Sequence, residues 1–314
     1  MKYLVAGGAG FLGSHLVKEL LDGGNDVIVV DNLCTGNMCN IQEHFKNDKF
    51  SFWCMDIRDL DVRQFNLRLD GIFNMACPAS PLHYFRIPVE TLMTSVQGTY
   101  NLLRIADEHG ARILHTSTSE VYGDPLVHPQ TEEYWGNVNP YGMRSCYDEG
   151  KRAAEALMHD FRDNYGTDTR VVRIFNTYGP NMDVDDGRVV SNFIVQALRG
   201  VPITICGDGT QTRSFCYVSD LIRGIWAVFD SDVHSPLNIG NPVEFTMNEL
   251  AEIVIHKTNS KSIIKYVELP KDDPKQRKPD ISRVTTHTGW SPSIQLEQGI
   301  ELSIPYFEEA LKRK

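Results

Sequence analysis

The chain has 314 residues, 41% of them apolar and 23% charged, with a net charge of -10. That balance supports a compact core and excludes a disordered chain, while the acidic excess disfavours a nucleic-acid partner, which wants a basic face. The longest apolar runs, at 27–30 and 225–229, fall far short of the roughly 20 residues of a membrane span, so no membrane partner is expected.

Residues 2–6 form a short β run with no basic flank, signal-type apolar core or cleavage site, which makes the cytoplasm the expected location. Gly7-Gly8-Ala9-Gly10-Phe11-Leu12-Gly13 follows it and opens a helix predicted over 14–21. Glycines at Gly7, Gly10 and Gly13 make a tight turn and let backbone N–H groups reach a pyrophosphate at a helix N-terminus. A second strand over 26–30 runs into Asp31, 18 residues after Gly13, where a carboxylate can accept both ribose hydroxyls of an adenosine. NAD is favoured over NADP, since a 2′-phosphate would meet that carboxylate and find no arginine beside it. After a third strand over 50–55, Asp56-Ile57 is placed to flank the adenine or simply to cap a loop.

Further strands are predicted over 71–75, 112–116 and 169–174, with helices over 89–108 and 144–165. The order describes an α/β fold, a doubly wound parallel Rossmann sheet filling residues 1–175. Behind the fifth strand stands Ser117-Thr118-Ser119-Glu120-Val121-Tyr122-Gly123, where an open sheet presents ligands at its strand ends. Tyr147 and Lys151, four apart on a helix, share one face. A cation there lowers the phenol pKa, so that Tyr147 exchanges a proton with a sugar hydroxyl that Thr118 also holds. Glu120 adds a carboxylate that simple oxidation does not need. Gly150 breaks the helix rule and implies a close neighbour, either a helix or a cofactor.

After residue 175 turns crowd in at Gly179-Pro180, Gly207-Asp208-Gly209 and Asn241-Pro242. Residues 176–314 read as mainly a smaller mixed α/β substrate-binding lobe, with some segments returning to the first domain. The stretch 271–279 looks like a charged loop. Seven cysteines, odd in number and without C-x-x-C spacing, point to reduced thiols and no metal.

In Pro78-Ala79-Ser80-Pro81, His115 to Pro125, Arg144-Ser145-Cys146-Tyr147-Asp148-Glu149-Gly150-Lys151-Arg152, Arg173 to Pro180, Asp186 to Phe193, and Asp272-Asp273-Pro274 running to Asp280, the chain resembles the UDP-glucuronate decarboxylases. These enzymes, also called UDP-xylose synthases, are extended short-chain dehydrogenases, and the likeness covers nearly the whole length. It implies catalytic roles for Tyr147, Lys151, Thr118, Glu120 and Ser119, with Arg277 at the glucuronate end. NAD contacts are implied at Gly7, Gly10, Phe11, Leu12, Gly13, Asp31, Asn32, Thr35, Gly36, Asp56, Ile57, Ala76 and Thr94, as well as Thr118, Tyr147 and Lys151. UDP-sugar contacts are implied at Pro81, Asn101, Asn176, Arg188, Gln211, Arg213, Tyr217 and Arg277, and a homodimer paired through the two long helices.

The implied chemistry is a cycle in which C4 is oxidised, the resulting β-keto acid loses carbon dioxide, and the 4-ketone is reduced again, giving UDP-xylose with no net oxidation. Rival readings are a release of the 4-keto pentose, a 4-epimerase or 4,6-dehydratase, and a non-catalytic NAD-binding protein. Three positions depart from the family's usual residues. Met93 stands for a lysine, Asn37 for a basic residue and Asn74 for a histidine, the last read as a packing change.

Overall fold

A computed structural model describes residues 1–65, 68–268 and 276–313. Its contacts divide the chain into two compact units. The first comprises Met1–Val121, Val138–Arg173 and Ile225–Leu237, and the second Tyr122–Asn137, Ile174–Gly224 and Asn238–Lys314. The crossing at 173–174 lies beside the boundary expected at 175, whereas Tyr122–Asn137 packs with the second unit. Among the described residues no helix is long and apolar enough to cross a membrane.

In the first unit the order is β1 (Lys2–Ala6), α1 (Phe11–Asp22), β2 (Asp26–Asp31), β3 (Phe50–Cys54), β4 (Gly71–Asn74), α2 (Pro81–Tyr84), α3 (Pro88–Met93), α4 (Thr99–His109), β5 (Arg112–Thr118), α5 (Ser145–Tyr165) and β6 (Thr169–Ile174). Strands β3, β2, β1, β4 and β5 pair in parallel, and β6 followed by Leu237–Ile239 completes a seven-stranded sheet. The reversal of order at β1 and β4 is the doubly wound pattern, and it leaves a crevice at the strand C-termini. Leu4, Ile72, Ile113, Leu102, Met158 and Val171 fill the core beneath.

The helix expected over 89–108 is interrupted by a π-helical turn at Thr94–Gly98. There a Cβ added to Gly98 would lie 2.3 Å from Ile57 Cδ1, and Ser95 Cβ sits 3.1 Å from the Cβ position of Gly150. The wider turn fits the helix to both neighbours, a use typical of such insertions. It also answers what Gly150 accommodates: the neighbouring helical segment, with Leu92 and Ser95 against α5.

The second unit is mixed: β7 (Thr177–Tyr178), α6 (Val189–Leu198), β8 (Ile203–Cys206), β9 (Thr212–Ser214), β10 (Cys216–Tyr217), the start of α7 (Val218–Asp230), the end of β11 (Leu237–Ile239), β12 (Glu244–Thr246), α8 (Met247–Lys257), β13 (Ile264–Val267), β14 (Gln276–Arg277), α9 (Ser282–Thr288) and α10 (Leu296–Arg313). Small sheets replace the single large one, with β9 between antiparallel β12 and parallel β14. Buried Asp220 accepts from Ser293 N and Ile294 N at 2.7 Å each, fixing the approach to α10.

Candidate active site

The glycine loop is compressed to backbone thickness. Gly7 has φ +77°, and a Cβ there would fall 2.8 Å from the Ala76 backbone; on Gly13 it would fall 2.1 Å from Gly7 O. No side chain other than hydrogen fits either place. Gly10 caps α1 without a side-chain hydrogen bond, and no acidic residue occupies the first turn holding Phe11 and Leu12. The positive end of the helix is therefore uncompensated by a local carboxylate, which suits a pyrophosphate.

Asp31, the last residue of β2, is buried, and its oxygens accept from Ala9 N at 3.0 Å and Leu33 N at 2.8 Å. Burial raises its pKa against the pull of those two N–H groups. Gly36 lies over it, its Cβ position 2.8 Å from Asp31 Oδ1, with Thr35 exposed alongside. Asn32 donates to Asp56 Oδ2 at 2.8 Å, and Arg58 grips both oxygens of Asp56. Ile57 is buried below, Ala76 packs against Gly7, and Thr94 starts the π-helical turn. These groups fit a dinucleotide. Asn37 accepts from Cys39 N at 2.9 Å, capping a 3-10 turn, so the departure from a basic residue has a local structural use.

Asn101, expected to meet the UDP-sugar, has partners within the chain. Its amide donates to Ile57 O and Arg58 O at 3.1 and 2.7 Å, and its oxygen accepts from Gln97 at 2.8 Å. The carboxamide braces the 57–58 turn.

Strand β5 runs two residues past its expected end, which places Thr118 at its tip and Ser119-Glu120 in the turn that follows. The Glu120 N–H donates to Thr118 Oγ1 at 3.2 Å. Tyr147 and Lys151 sit in the first two turns of α5, both buried. Lys151 Nζ donates to Thr116 O at 2.7 Å and stands 6.0 Å from the centre of the Tyr147 ring. Pro81 opens α2 in the same unit.

The electrostatics correct one expectation. The phenol of Tyr147 is pushed above its ordinary value, by burial first and then by Cys77, with only a hydrogen bond from Thr118 pulling it down. Lys151 is the cation that stands 6.0 Å from the centre of its ring. Burial depresses the lysine's own pKa, Cys77 and Glu155 opposing, and its ammonium is committed to a carbonyl. Asn74 is more than a packing substitute: its Nδ2 donates to Thr99 Oγ1 at 2.9 Å and lies 3.1 Å from Nδ1 of buried His115.

Two neighbours had not been singled out. Arg144 NH2 lies 2.5 Å from Glu120 Oε2, and its guanidinium stacks 5.9 Å over Tyr84. Tyr84 in turn lies flat against Tyr147, centroids 5.2 Å apart and planes 7° from parallel. Arg144, three residues before Tyr147, was available to helical spacing; Tyr84 had no local signal, since only the fold brings α2 to α5.

In the second unit Arg213 and Arg277 are register partners on parallel β9 and β14. Registered neighbours on adjacent strands share a face of the sheet, and guanidinium groups suit the oxyanions of a nucleotide sugar. Arg277 is not on a solvated loop as its charged surroundings implied: it is 2% exposed and donates to Gly123 O at 3.0 Å. The motif residues Asp272, Asp273 and Pro274, and 271–275 of that expected loop, lie outside the described residues. Arg188 is bidentate to buried Asp186 at 2.5 and 2.8 Å. Asn176 O accepts from Cys216 N, and Gln211 donates to Cys206 O at 2.7 Å. Tyr217 is buried edge-on to Tyr178, its pKa raised by that burial. Among the described residues no group of three or more His, Cys, Asp or Glu is placed to hold a metal.

Residues 3–240 match the family model described as "NAD dependent epimerase/dehydratase family". UDP-glucuronic acid decarboxylase 6 of Arabidopsis thaliana is 54% identical over 303 residues, 96% of this chain and 87% of that one. UDP-glucuronic acid decarboxylase 1 of Xenopus tropicalis is 46% identical over 313 residues, 100% of this chain and 73% of that one. Among solved structures, a UDP-glucose 4-epimerase of Thermotoga maritima with UDP-glucose superposes with a TM-score of 0.92 at 31% identity, covering 99% of this chain and 100% of the other. A UDP-glucuronic acid 4-epimerase of Bacillus cereus, in complex with UDP-glucuronic acid and NAD, gives 0.89 at 28% identity, covering 98% and 99%.

Proposed function

Since the chain belongs to the NAD dependent epimerase/dehydratase family, and within it stands with the UDP-glucuronic acid decarboxylases, we propose that it converts UDP-glucuronate to UDP-xylose and carbon dioxide. The observation that carries the reading is the cluster at the end of β5, where the Glu120 N–H donates to Thr118 Oγ1 and the Glu120 carboxylate pairs with Arg144, one helical turn before Tyr147. An epimerase needs the phenol and the hydroxyl; the extra carboxylate suits a second proton step after carbon dioxide leaves. Bound NAD would supply the hydride acceptor and donor at C4 of the sugar, held by Gly7, Gly10, Phe11, Leu12 and Gly13 at its pyrophosphate, Asp31, Asn32, Thr35 and Gly36 at its ribose, Asp56 and Ile57 at its adenine, and Ala76 and Thr94 along its length.

Tyr147 takes the C4 hydroxyl proton and later returns it. It does so as the phenolate, becoming the neutral phenol that burial favours, and the same proton goes back to the C4 oxygen when the ketone is reduced. Thr118 orients the same oxygen, and Ser119 shapes the turn that presents Glu120. Lys151, anchored on Thr116 O, fixes the α5 face that carries the phenol. Once C4 is a ketone the C6 carboxylate is β to it, and the electrons left by decarboxylation settle on an oxygen that Tyr147 and Thr118 stabilise by hydrogen bonds. Glu120 orders the group that reprotonates C5. Arg277 meets the glucuronate carboxylate, Arg188 and Arg213 meet the diphosphate, and Asn176, Gln211, Tyr217 and Pro81 complete the UDP-sugar contacts.

Two finer features belong to the same reading. Leu82, Phe85, Val89, Leu92, Met93 and Tyr100 leave α2 to α4 with an apolar exposed face, which a second copy of the chain covers in a homodimer. The cytoplasm is the compartment. Sedimentation equilibrium tests the first, cell fractionation the second.

Incubation with UDP-glucuronate and NAD decides the main reading. UDP-xylose with carbon dioxide and no build-up of NADH is expected. A C4 epimer without carbon dioxide makes the chain an epimerase, and a 4-keto pentose with stoichiometric NADH makes it an enzyme that stops halfway.

A further inference from the structure

The contacts beside Tyr147 run as a chain. Thr118 Oγ1 accepts from the Glu120 N–H, Glu120 Oε2 pairs with Arg144, Arg144 lies over Tyr84, and Tyr84 lies flat on Tyr147. The backbone of Arg144 belongs to the same series, because its carbonyl accepts from Tyr147 N and Asp148 N at 3.0 Å each and so sets the first turn of α5. Arg144 and Glu120 are each only 19% exposed at the side chain. At that depth a carboxylate stays ionised and aimed only if a partner holds it.

We infer that Arg144 is a positioning residue for Glu120, fixing the pose and the charge of that carboxylate beside Tyr147. The inference rests on the decarboxylase reading and deepens it by assigning a role that the phenol, the hydroxyl and the lysine leave open. Asp148 lies 3.8 Å from Arg144 Nε, so the guanidinium spans two acids, and it favours the nearer. Burial works against its charge, but Glu120, Tyr84 and Asp148 together hold it above the ordinary arginine value. A neutral side chain of similar length would keep the stack on Tyr84 and lose the grip on Glu120. The titratable groups around Glu120 and Arg144 are Tyr84, Tyr147, Asp148 and Cys146; burial, Glu120, Asp148 and Cys146 favour the neutral form of Tyr84, and Arg144 opposes them.

The test is a double-mutant cycle on the full chain with NAD, reading carbon dioxide release from UDP-glucuronate against pH. Arg144→Met is expected to slow release by ~10- to 100-fold, with KM little changed, and to move the acid limb upward by ~1 to 3 pH units, the range set by removing an opposite charge. Combined with Glu120→Gln it should cost no more than Glu120→Gln alone, because residues acting as a unit are not additive. Arg144→Lys should restore part of the rate and of the pH profile. A carbon-13 titration of the Glu120 carboxyl, which needs no turnover, should show the same upward shift in Arg144→Met. An unchanged titration, or losses that simply multiply in the double variant, overturns the inference. If the unaltered chain releases no carbon dioxide, the decarboxylase reading fails, and the carboxyl titration still decides the pair.

Discussion

The dinucleotide loop and the Tyr147 cluster belong to one unit, yet they are made of opposite materials. At Gly7 and Gly13 the defining property is missing volume: a single Cβ would strike main chain at 2.8 or 2.1 Å. At Tyr147 the defining property is side-chain contact, a chain of five residues drawn from α2, β5, the turn behind it, and the entrance of α5. The first region binds by letting backbone come close, so changing it disturbs shape and affinity together. The second handles protons, and each of its members is replaceable without emptying the fold.

Tyr147→Phe separates the two most sharply. Phenylalanine keeps the flat stack on Tyr84 and loses the hydroxyl that exchanges the proton, so carbon dioxide release should fall by ~10²- to 10⁴-fold while NAD binding, followed by fluorescence quenching, stays as it was. Near-normal turnover in this variant would mean the proton goes elsewhere. Gly13→Ala should do the reverse kind of damage. The obstructing atom is Gly7 O, which cannot swing aside like a side chain, and overpacking of this sort costs ~1–3 kcal/mol. Melting temperature and NAD affinity should drop together in calorimetry; a variant binding NAD like the parent would show that the loop does not rely on backbone contact.

The contrast also explains what could be read from the residues alone. Glycine spacing is a local code, so the loop, Asp31 and the order of the first six strands were legible in the chain. The Tyr147, Lys151 and Thr118 positions were legible too, but not their electrostatics, because the burial of the phenol, the charge effect of Cys77 and the stack on Tyr84 come from residues far away in sequence. The same limit hid the partner of Glu120 and the bonds that Asn101 makes to residues 57 and 58. The π-helical turn was invisible because nothing in a periodic apolar pattern records an inserted residue. Arg277 looked solvated for the opposite reason: its charged neighbours in sequence say nothing of its register with Arg213.

That pair of arginines gives a smaller test in the second unit. Arg213→Gln removes one of the two register-paired arginines. It should raise KM for UDP-glucuronate by ~10-fold, as expected for one charge-assisted hydrogen bond, with kcat nearly constant. A loss confined to kcat would place Arg213 with the reacting groups instead.

The smallest effect is expected at Asp56, the place where the backbone-built region does use an ion pair. Its carboxyl is held below the ordinary value of 3.8 mainly by the Arg58 side chain, against the opposing effect of burial, with the Arg58 N–H and Asn32 helping. A depressed folded-state value means the stabilisation is fully present above about pH 3.8, the unfolded value, and is lost as pH falls through the lower folded one. Because Arg58 is 32% exposed, solvent screening keeps the contribution below about 1 kcal/mol. Asp56→Asn should therefore shift the urea midpoint slightly downward at neutral pH and leave it equal to the parent in strong acid. If the two chains still differ in acid, Asp56 stabilises through shape, as the glycines do, and the division between a region made of backbone and a region made of charges would have to be redrawn at its edge.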